Sequence, residues 1–301
     1  MSKTDIIIPT WNSSEVIDRC LEAALRQPNC RVLVVDNASE DDTVDRVGGV
    51  ANVELIALEE NTGFAAACNR GFEATESPFV LFLNDDAFVG DDYVSGLVAL
   101  LEAKPDAASV VGKLFTIRDG RRFIDSAGIV LDRLRFRPLD RGHGELDRDQ
   151  YDSREYVFGG SAAATVYRRS ALVGLGESPF DEVLGSYYED VDLAWRLGRV
   201  GWHHIYEPNV SAEHARRGPG QKNDEIASRA FLNRYLIWLK NEGWREFTRY
   251  APVAIPWEVA RVIRRSAMDS RVLAEWRDLP RRAQLVAKKR MRKKLRKMVF
   301  K

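Results

Sequence analysis

FVLFLNDDAF, residues 79–88, decides how the rest of the chain is read. Five apolar residues, Phe79 to Leu83, stop abruptly at Asn84-Asp85-Asp86. An unbroken apolar run of this length suits a strand buried on both faces, as in a parallel sheet. Two adjacent carboxylates at its end cost too much to bury without partners. In an open α/β sheet the ligand crevice lies outside the carboxyl ends of the strands. A carboxylate pair there suits a divalent cation, and the cation suits a phosphate-bearing ligand. A turn capped by Asn and Asp would use the same residues, so the stretch alone leaves both readings open.

The flanking sequence repeats the pattern. Residues 4–9 read as a short strand left by Pro9-Thr10-Trp11-Asn12, with Ser13 or Ser14 placed to cap the next helix. Val16, Ile17, Cys20, Leu21, Ala24 and Leu25 form that helix's apolar stripe. RVLVVD at 31–36 is a second buried strand that also ends on a carboxylate, and 53–58 is a third. Asn61-Thr62-Gly63 turns into a helix over 64–74. Repeated β-α-β units predict a mostly parallel sheet with helices on both faces.

The rhythm changes after the carboxylate pair. A helix over 93–103 leads to a strand over 108–116, then a strand pair or hairpin over 123–132. Residues 134–154, charged and carrying Pro138, Gly142 and Gly144, read as an irregular surface loop. The segment 156–167 holds Gly159-Gly160-Ser161 and further small residues able to run close to a ligand. Helices over 169–175 and 189–200 and a strand over 202–206 follow, and 210–214 leads into Gly218-Pro219-Gly220. Helices over 224–241 and 244–267 precede a basic tail.

At 301 residues and 45% apolar composition the chain can bury a sizeable core. Three cysteines, Cys20, Cys30 and Cys68, give no even framework and no CxxC, which fits a reducing compartment and small buried hydrophobes. The short approach to the first strand leads one to expect no signal peptide, and no window reaches the ~20 apolar residues of a membrane span. The net charge of zero hides an asymmetry. Residues 277–301 carry twelve Lys/Arg against one acid, +11, so the remaining 276 carry −11. Met291, Leu295 and Met298 recur at i, i+4 and i+7 within that tail, as in a basic amphipathic helix. Trp238, Trp244, Trp257 and Trp276 upstream suit an interface. A solvated tail and nucleic-acid contact are the alternatives; the expectation is an anionic membrane surface and no nucleic acid.

Strand ends thus supply Pro9-Thr10, Asp36-Asn37 and Asn84-Asp85-Asp86 to one sheet edge. An Asp at the second strand end can accept the N3–H of a pyrimidine base. No GxGxxG or GxxxxGK[ST] is present, so phosphate charge must be met by a metal and by loops. A nucleotidyltransferase would need a glycine-rich basic loop after the first strand, and Pro9-Thr10-Trp11-Asn12-Ser13-Ser14 has no Gly, Lys or Arg. A second constellation, YEDVDLAWRL at 188–197, sets three acids at a helix start. They suit the helix dipole and could equally supply a general base for an acceptor hydroxyl.

Five segments taken in order carry a family resemblance: IIIPTWN at 6–12, VVDNASEDDT at 34–43, NTGFAAACNRG at 61–71, FLNDDAF at 82–88 and YYEDVDLAWRLGRVGW at 187–202, with His214 downstream. The chain resembles family 2 glycosyltransferases of the GT-A fold, in the branch similar to bacterial rhamnosyltransferases. The resemblance covers roughly the first 215 residues. It implies a catalytic domain over 1–220, nucleotide-binding over 1–116 and acceptor-binding over 117–220, followed by a helical extension over 221–301.

The resemblance also implies roles. Pro9, Thr10, Trp11 and Asp36 would line base and ribose, and Asn61, Gly63 and Asn69 would lie against the nucleotide. Asp85 would contact ribose or a metal-bound water. Asp86 would ligate Mg²⁺ or Mn²⁺ on the diphosphate, with His214 a further metal or diphosphate ligand. Asp190 would be the catalytic base, with Glu189 beside it. Gly159, Gly160 and Ser161 match the segment facing the donor sugar, and Trp195 belongs with these donor- or acceptor-side residues unless it simply packs. Where relatives have Asn-Pro-Asp this chain has Asn84-Asp85-Asp86. Where many have Arg-Asn it has Cys68-Asn69, so a phosphate contact would come from Arg70 or Arg216. The implied activity is inverting sugar transfer from a dTDP- or UDP-sugar, with rhamnose the suggested sugar, to a glycan or lipid-linked acceptor. The implied place is cytoplasmic, on the inner face of the cell membrane. A non-catalytic sugar-nucleotide-binding relative would keep the fold but lose the acids present here.

Overall fold

The structure, a computed structural model, describes residues 3–135, 137–216, 224–268 and 276–287. The first half alternates strand and helix: β1 (Thr4–Thr10), α1 (Ile17–Leu25), β2 (Cys30–Asp36), α2 (Thr43–Gly48), β3 (Val53–Ala57), α3 (Phe64–Glu73) and β4 (Phe79–Leu83). β1 lies between β2 and β4, and β3 joins β2, all parallel. The apolar runs read as two-faced strands are so. Ile6, Ile8, Leu81 and Leu83 point into one core with α1, while Ile7, Val80 and Phe82 point into another with α3. Strand alternation sends neighbours to opposite faces, and burying each such side chain contributes about 1.5–3 kcal/mol. Gly71 lets α3 close onto Ile7 of β1, where any Cβ would collide.

The second half extends the same sheet. It contains β5 (Ala87–Val89), α4 (Tyr93–Ala103), β6 (Ala107–Arg118), β7 (Arg121–Ser126), β8 (Ile129–Asp132), β9 (Arg137–Asp140), β10 (Glu155–Val157), β11 (Ala164–Arg168), α5 (Arg169–Val173), α6 (Glu189–Gly198) and β12 (His203–His214). Strand order is β10-β12-β6-β11-β4-β1-β2-β3, with β11 antiparallel to both its neighbours. The expected strand pair over 123–132 is not one hairpin. β7 pairs with β6, whereas β8 turns away to pair with β9 in a separate two-stranded sheet. Part of the expected surface loop is therefore a strand, because β9 completes the hydrogen bonds of β8. Neither serine caps α1 with its side chain. The Ser13 carbonyl accepts from Val16 and Ile17, while the Ser13 hydroxyl is spent on Asp85.

Two further helices follow, α7 (Asp224–Asn241) and α8 (Trp244–Met268), with a last helix over 276–287. They are not loosely attached. Leu236, Ile237 and Trp238 of α7 pack with Leu184, Val191 and Trp195 in a third cluster. Asp192 of α6, fully buried, accepts hydrogen bonds from Lys240 at 2.7 Å, Asn241 at 2.7 Å and Arg196 at 2.7 Å. Burial alone would raise its carboxyl, but the charges of Lys240 and Arg196 hold it well below the usual range. Among the described residues no helix is long and apolar enough to cross a membrane. The amphipathic repeat Met291, Leu295 and Met298 lies outside the described residues.

Candidate active site

The carboxyl edge of β1, β2 and β4 opens into a cavity of about 1740 Å³. Small-ligand pockets run to about 1,000 Å³, so there is room for two reactants together. Its walls take Pro9, Thr10 and Trp11 from the end of β1, and Asn61 and Gly63 from the turn before α3. Asp85 and Asp86 follow β4, Ser161 precedes β11, Glu189 and Asp190 begin α6, and His214 ends β12. These positions, separated by up to 205 places in the chain, meet in one space.

Asp86 and His214 form the floor. His214 Nε2 lies 3.2 Å from an Asp86 oxygen. Behind it Nδ1 lies 2.8 Å from Asp125, whose carboxylate is fully buried and also accepts from Arg216. Burial disfavours the charged imidazole, but the hydrogen bonds to Asp125 and Asp86 raise His214 to about 9. Burial would likewise raise Asp125, yet its bonds from His143 and His214 keep it well below the carboxylate range. Asp125 fixes which imidazole nitrogen faces the cavity, the arrangement a metal-ligating histidine needs. Among the described residues no three His, Cys, Asp or Glu side chains could hold a metal by themselves. Asp86 and His214 are thus a two-donor set that suits a cation completed by ligand oxygens, as on a diphosphate. Thr10 Oγ1, Asn84 Oδ1 and Glu189 Oε2 are buried without a hydrogen-bond partner among the described residues. Orphaned polar atoms facing a cavity call for ligand or solvent partners.

Glu189 and Asp190 sit at the N-terminus of α6. Asp190 accepts from the backbone N–H of Val191 at 2.7 Å and of Ala162 at 3.2 Å. Burial and the charge of Asp140 nevertheless raise it to about 6. Burial and the charge of Asp190 push Glu189 well above its ordinary value. Two neighbouring carboxyls that resist ionising together are the usual setting for a general base. Asp140 and Asp125 gave no sequence signal, because each acts through partners distant in the chain, 89 positions apart for Asp125 and His214.

Several expected residues lie elsewhere. Asp36 is buried behind the wall, its oxygens taken by the Ser39 backbone and hydroxyl, and Asn37 lines the cavity instead. Asn69 is turned away from it. Its amide donates to the Phe180 carbonyl at 2.9 Å and accepts from the Phe180 N–H at 3.0 Å, tying α3 to the loop after α5. Gly159 and Gly160 back the wall without lining it, packed on Ala194 and Thr165. Trp195 is core: it makes edge contacts with Phe158 and Trp238. Arg70 is exposed and off the cavity, whereas Arg216 lines it. Trp238 is buried, while Trp244 and Trp257 are exposed.

Residues 5–173 match the model of glycosyl transferase family 2. The chain is 32% identical over 230 residues to a pre-mycofactocin glycosyltransferase of Mycobacterium tuberculosis, covering 75% of this chain and 45% of that protein. The chain therefore spans about half the length of that relative. It is 28% identical to an N-acetylglucosaminyl-diphospho-decaprenol L-rhamnosyltransferase of Mycobacterium tuberculosis, covering 69% of this chain and 75% of that one. Among solved structures, GalNAc-T7 bound to UDP, GalNAc and Mn²⁺ aligns with TM-score 0.64 at 13% identity over 80% of this chain and 48% of its own. The mannosyltransferase PcManGT from Pyrobaculum calidifontis, bound to GDP-Man and Mn²⁺, aligns with TM-score 0.57 at 17% identity over 96% and 87%. These likenesses place the fold among GT-A glycosyltransferases. The strand-end acids, the mixed sheet and the matched segment agree: the chain belongs to glycosyl transferase family 2.

Proposed function

We propose that the protein is an inverting glycosyltransferase that moves a sugar from a nucleotide-diphosphate donor to an acceptor hydroxyl. The observation that carries this is the meeting of Asp85, Asp86 and His214 with Glu189 and Asp190 in one cavity. Pro9, Thr10, Trp11, Asn37 and Asn61 would hold the nucleoside, and Asp86 with His214 would hold Mg²⁺ or Mn²⁺ beside the diphosphate. A cation held there offsets charge on the departing diphosphate as a Lewis acid. Asp190 takes the acceptor hydroxyl proton, and the oxygen attacks the sugar C1 opposite the leaving group. The C1–diphosphate bond breaks as the new bond forms, so the configuration inverts through an oxocarbenium-like transition state. On this reading residues 1–116 hold the donor and 117–220 shape the acceptor side.

The rhamnosyltransferase relative supports rhamnose as the sugar and a diphospho-lipid as the acceptor. The exposed Trp244, Trp257 and Ile263 of α8 and the basic composition of 288–301 support docking on an anionic membrane face. Each basic residue near such a leaflet is worth about 1 kcal/mol. Removing 288–301 is expected to abolish cosedimentation with anionic liposomes at physiological salt; unchanged sedimentation would refute that part. The transfer reading is tested by incubating the protein with dTDP-rhamnose and UDP-hexoses with and without Mn²⁺. Metal-dependent nucleotide release from one donor is expected, and none from any donor overturns it.

A further inference from the structure

Asn233 of α7 is fully buried, and its amide faces the loop ahead of α6. Its Nδ2 lies 2.8 Å from the Leu184 carbonyl oxygen, 3.0 Å from that of Ser186 and 3.0 Å from that of Tyr187. An amide nitrogen has two hydrogens, so three carbonyl oxygens use its donor capacity fully. Its Oδ1 accepts from the Arg282 guanidinium, which also donates to the Val183 carbonyl at 3.2 Å. Arg282 comes from the helix over 276–287, so two C-terminal helices close on one loop.

That loop is strained. Tyr187 and Tyr188 both have φ of 70°, and Tyr188 is the N-cap of α6. Two consecutive left-handed residues other than glycine persist only where the surroundings hold them. Glu189 and Asp190 are the next two residues. The carbonyls that Asn233 grips therefore set the direction in which both carboxylates enter the cavity.

We propose that Asn233, backed by Arg282, is a positioning residue: it holds 184–187 in the left-handed turn that aims Glu189 and Asp190 into the cavity. The catalytic consequence rests on the reading of Asp190 as base; the conformational consequence does not. The C-terminal helices then serve the reaction directly and are not a mere appendage to it.

The test uses the full chain with Asn233→Ala, Asn233→Asp and Arg282→Met. Hydrogen–deuterium exchange of the amides over 184–190, without substrate, is expected to speed up about tenfold or more in both Asn233 variants. A smaller rise is expected for Arg282→Met, which keeps the test available if the Asn233 variants do not fold. Exchange at the wild-type rate in every folded variant overturns the proposal. Turnover is the second readout. A fall in kcat of about 10–100-fold, with donor KM within about twofold and the acid limb of the pH profile displaced, is expected from a misplaced carboxylate. A drop in thermal stability alone, with wild-type kcat, KM and acid limb, also overturns it. Asp190→Asn is assayed in parallel: full turnover there removes the base reading, and the exchange result still decides the role of Asn233.

Discussion

Asp85-Asp86 ends a buried strand, whereas Glu189-Asp190 begins a helix, and the two pairs of adjacent acids face one cavity from different supports. The first pair is met by hydrogen-bond donors: the Ser13 hydroxyl on Asp85 and the His214 imidazole at 3.2 Å from Asp86. The second pair is crowded by other acids, with Asp140 facing Asp190 and Glu189 Oε2 without a partner among the described residues. A carboxylate surrounded by donors is built to hold positive charge. One with other carboxylates close by holds its proton to higher pH. Adjacent acids in a sequence look alike; only their neighbours in space give the two pairs the different roles proposed for them above.

The comparison breaks most sharply at Asp190. Asp190→Asn is expected to lower kcat about 10³-fold in a transfer assay, within the usual range for a general base, while leaving Mn²⁺-nucleotide binding intact by calorimetry. Equal losses in both measurements would mean that the two pairs share one task. The second pair's support is tested next. Lys240→Met removes the ammonium shared by the buried Asp181 and Asp192, leaving Asp192 to Arg196 and Asn241, and is expected to cost about 3 kcal/mol in urea unfolding. On the first pair, Asp86→Ala is expected to weaken Mn²⁺-dependent nucleotide binding about 100-fold, and Asp125→Asn, which touches the cation site only through His214 and Arg216 behind it, about 10-fold.

The smallest effect concerns pH. Asp190 is raised from 3.8 to about 6, so it is ionised above that value and kcat should rise with pH through about 6 to a plateau. Its folded form prefers the proton more than its unfolded form does. The stability this gives is full below about 4 and lost as pH rises through 6. Asp190→Asn is therefore expected to raise Tm by a few degrees at pH 7.5, roughly 2–4 °C per kcal/mol, and to lose that gain near pH 4. A stabilised but inactive variant is the signature of a site that trades stability for chemistry.

The first half of the sheet was legible because its elements are local and two-faced. FVLFL and RVLVVD are continuous apolar runs that only a doubly covered strand explains, and the structure returns them as β4 and the core of β2. The acids at 85, 86, 189 and 190 were legible as ends of such elements. Asp36 lies off the cavity because Ser39, three residues on, brings its backbone N–H and hydroxyl to the carboxylate. Asn69 and Trp195 turn away from the cavity toward Phe180 and Trp238, partners from segments with no sequence pattern linking them. β9 was hidden for the same reason: Arg137–Asp140 is too short and charged to read as a strand until β8 is beside it.

β11 runs against its neighbours, so its entrance rather than its exit lies where β4 leaves the sheet, with the Asn84 N–H donating to the Ala163 carbonyl at 2.9 Å. Everything between β6 and that entrance, some forty residues, is a detour that departs from one rim of the sheet and returns to it. Part of such an excursion can be rebuilt or exchanged while the parallel strands stay untouched. For an engineer, residues 141–154 are the part to exchange, because Asp125 of β7 holds His214 and Arg216 and Asp140 of β9 acts on Asp190.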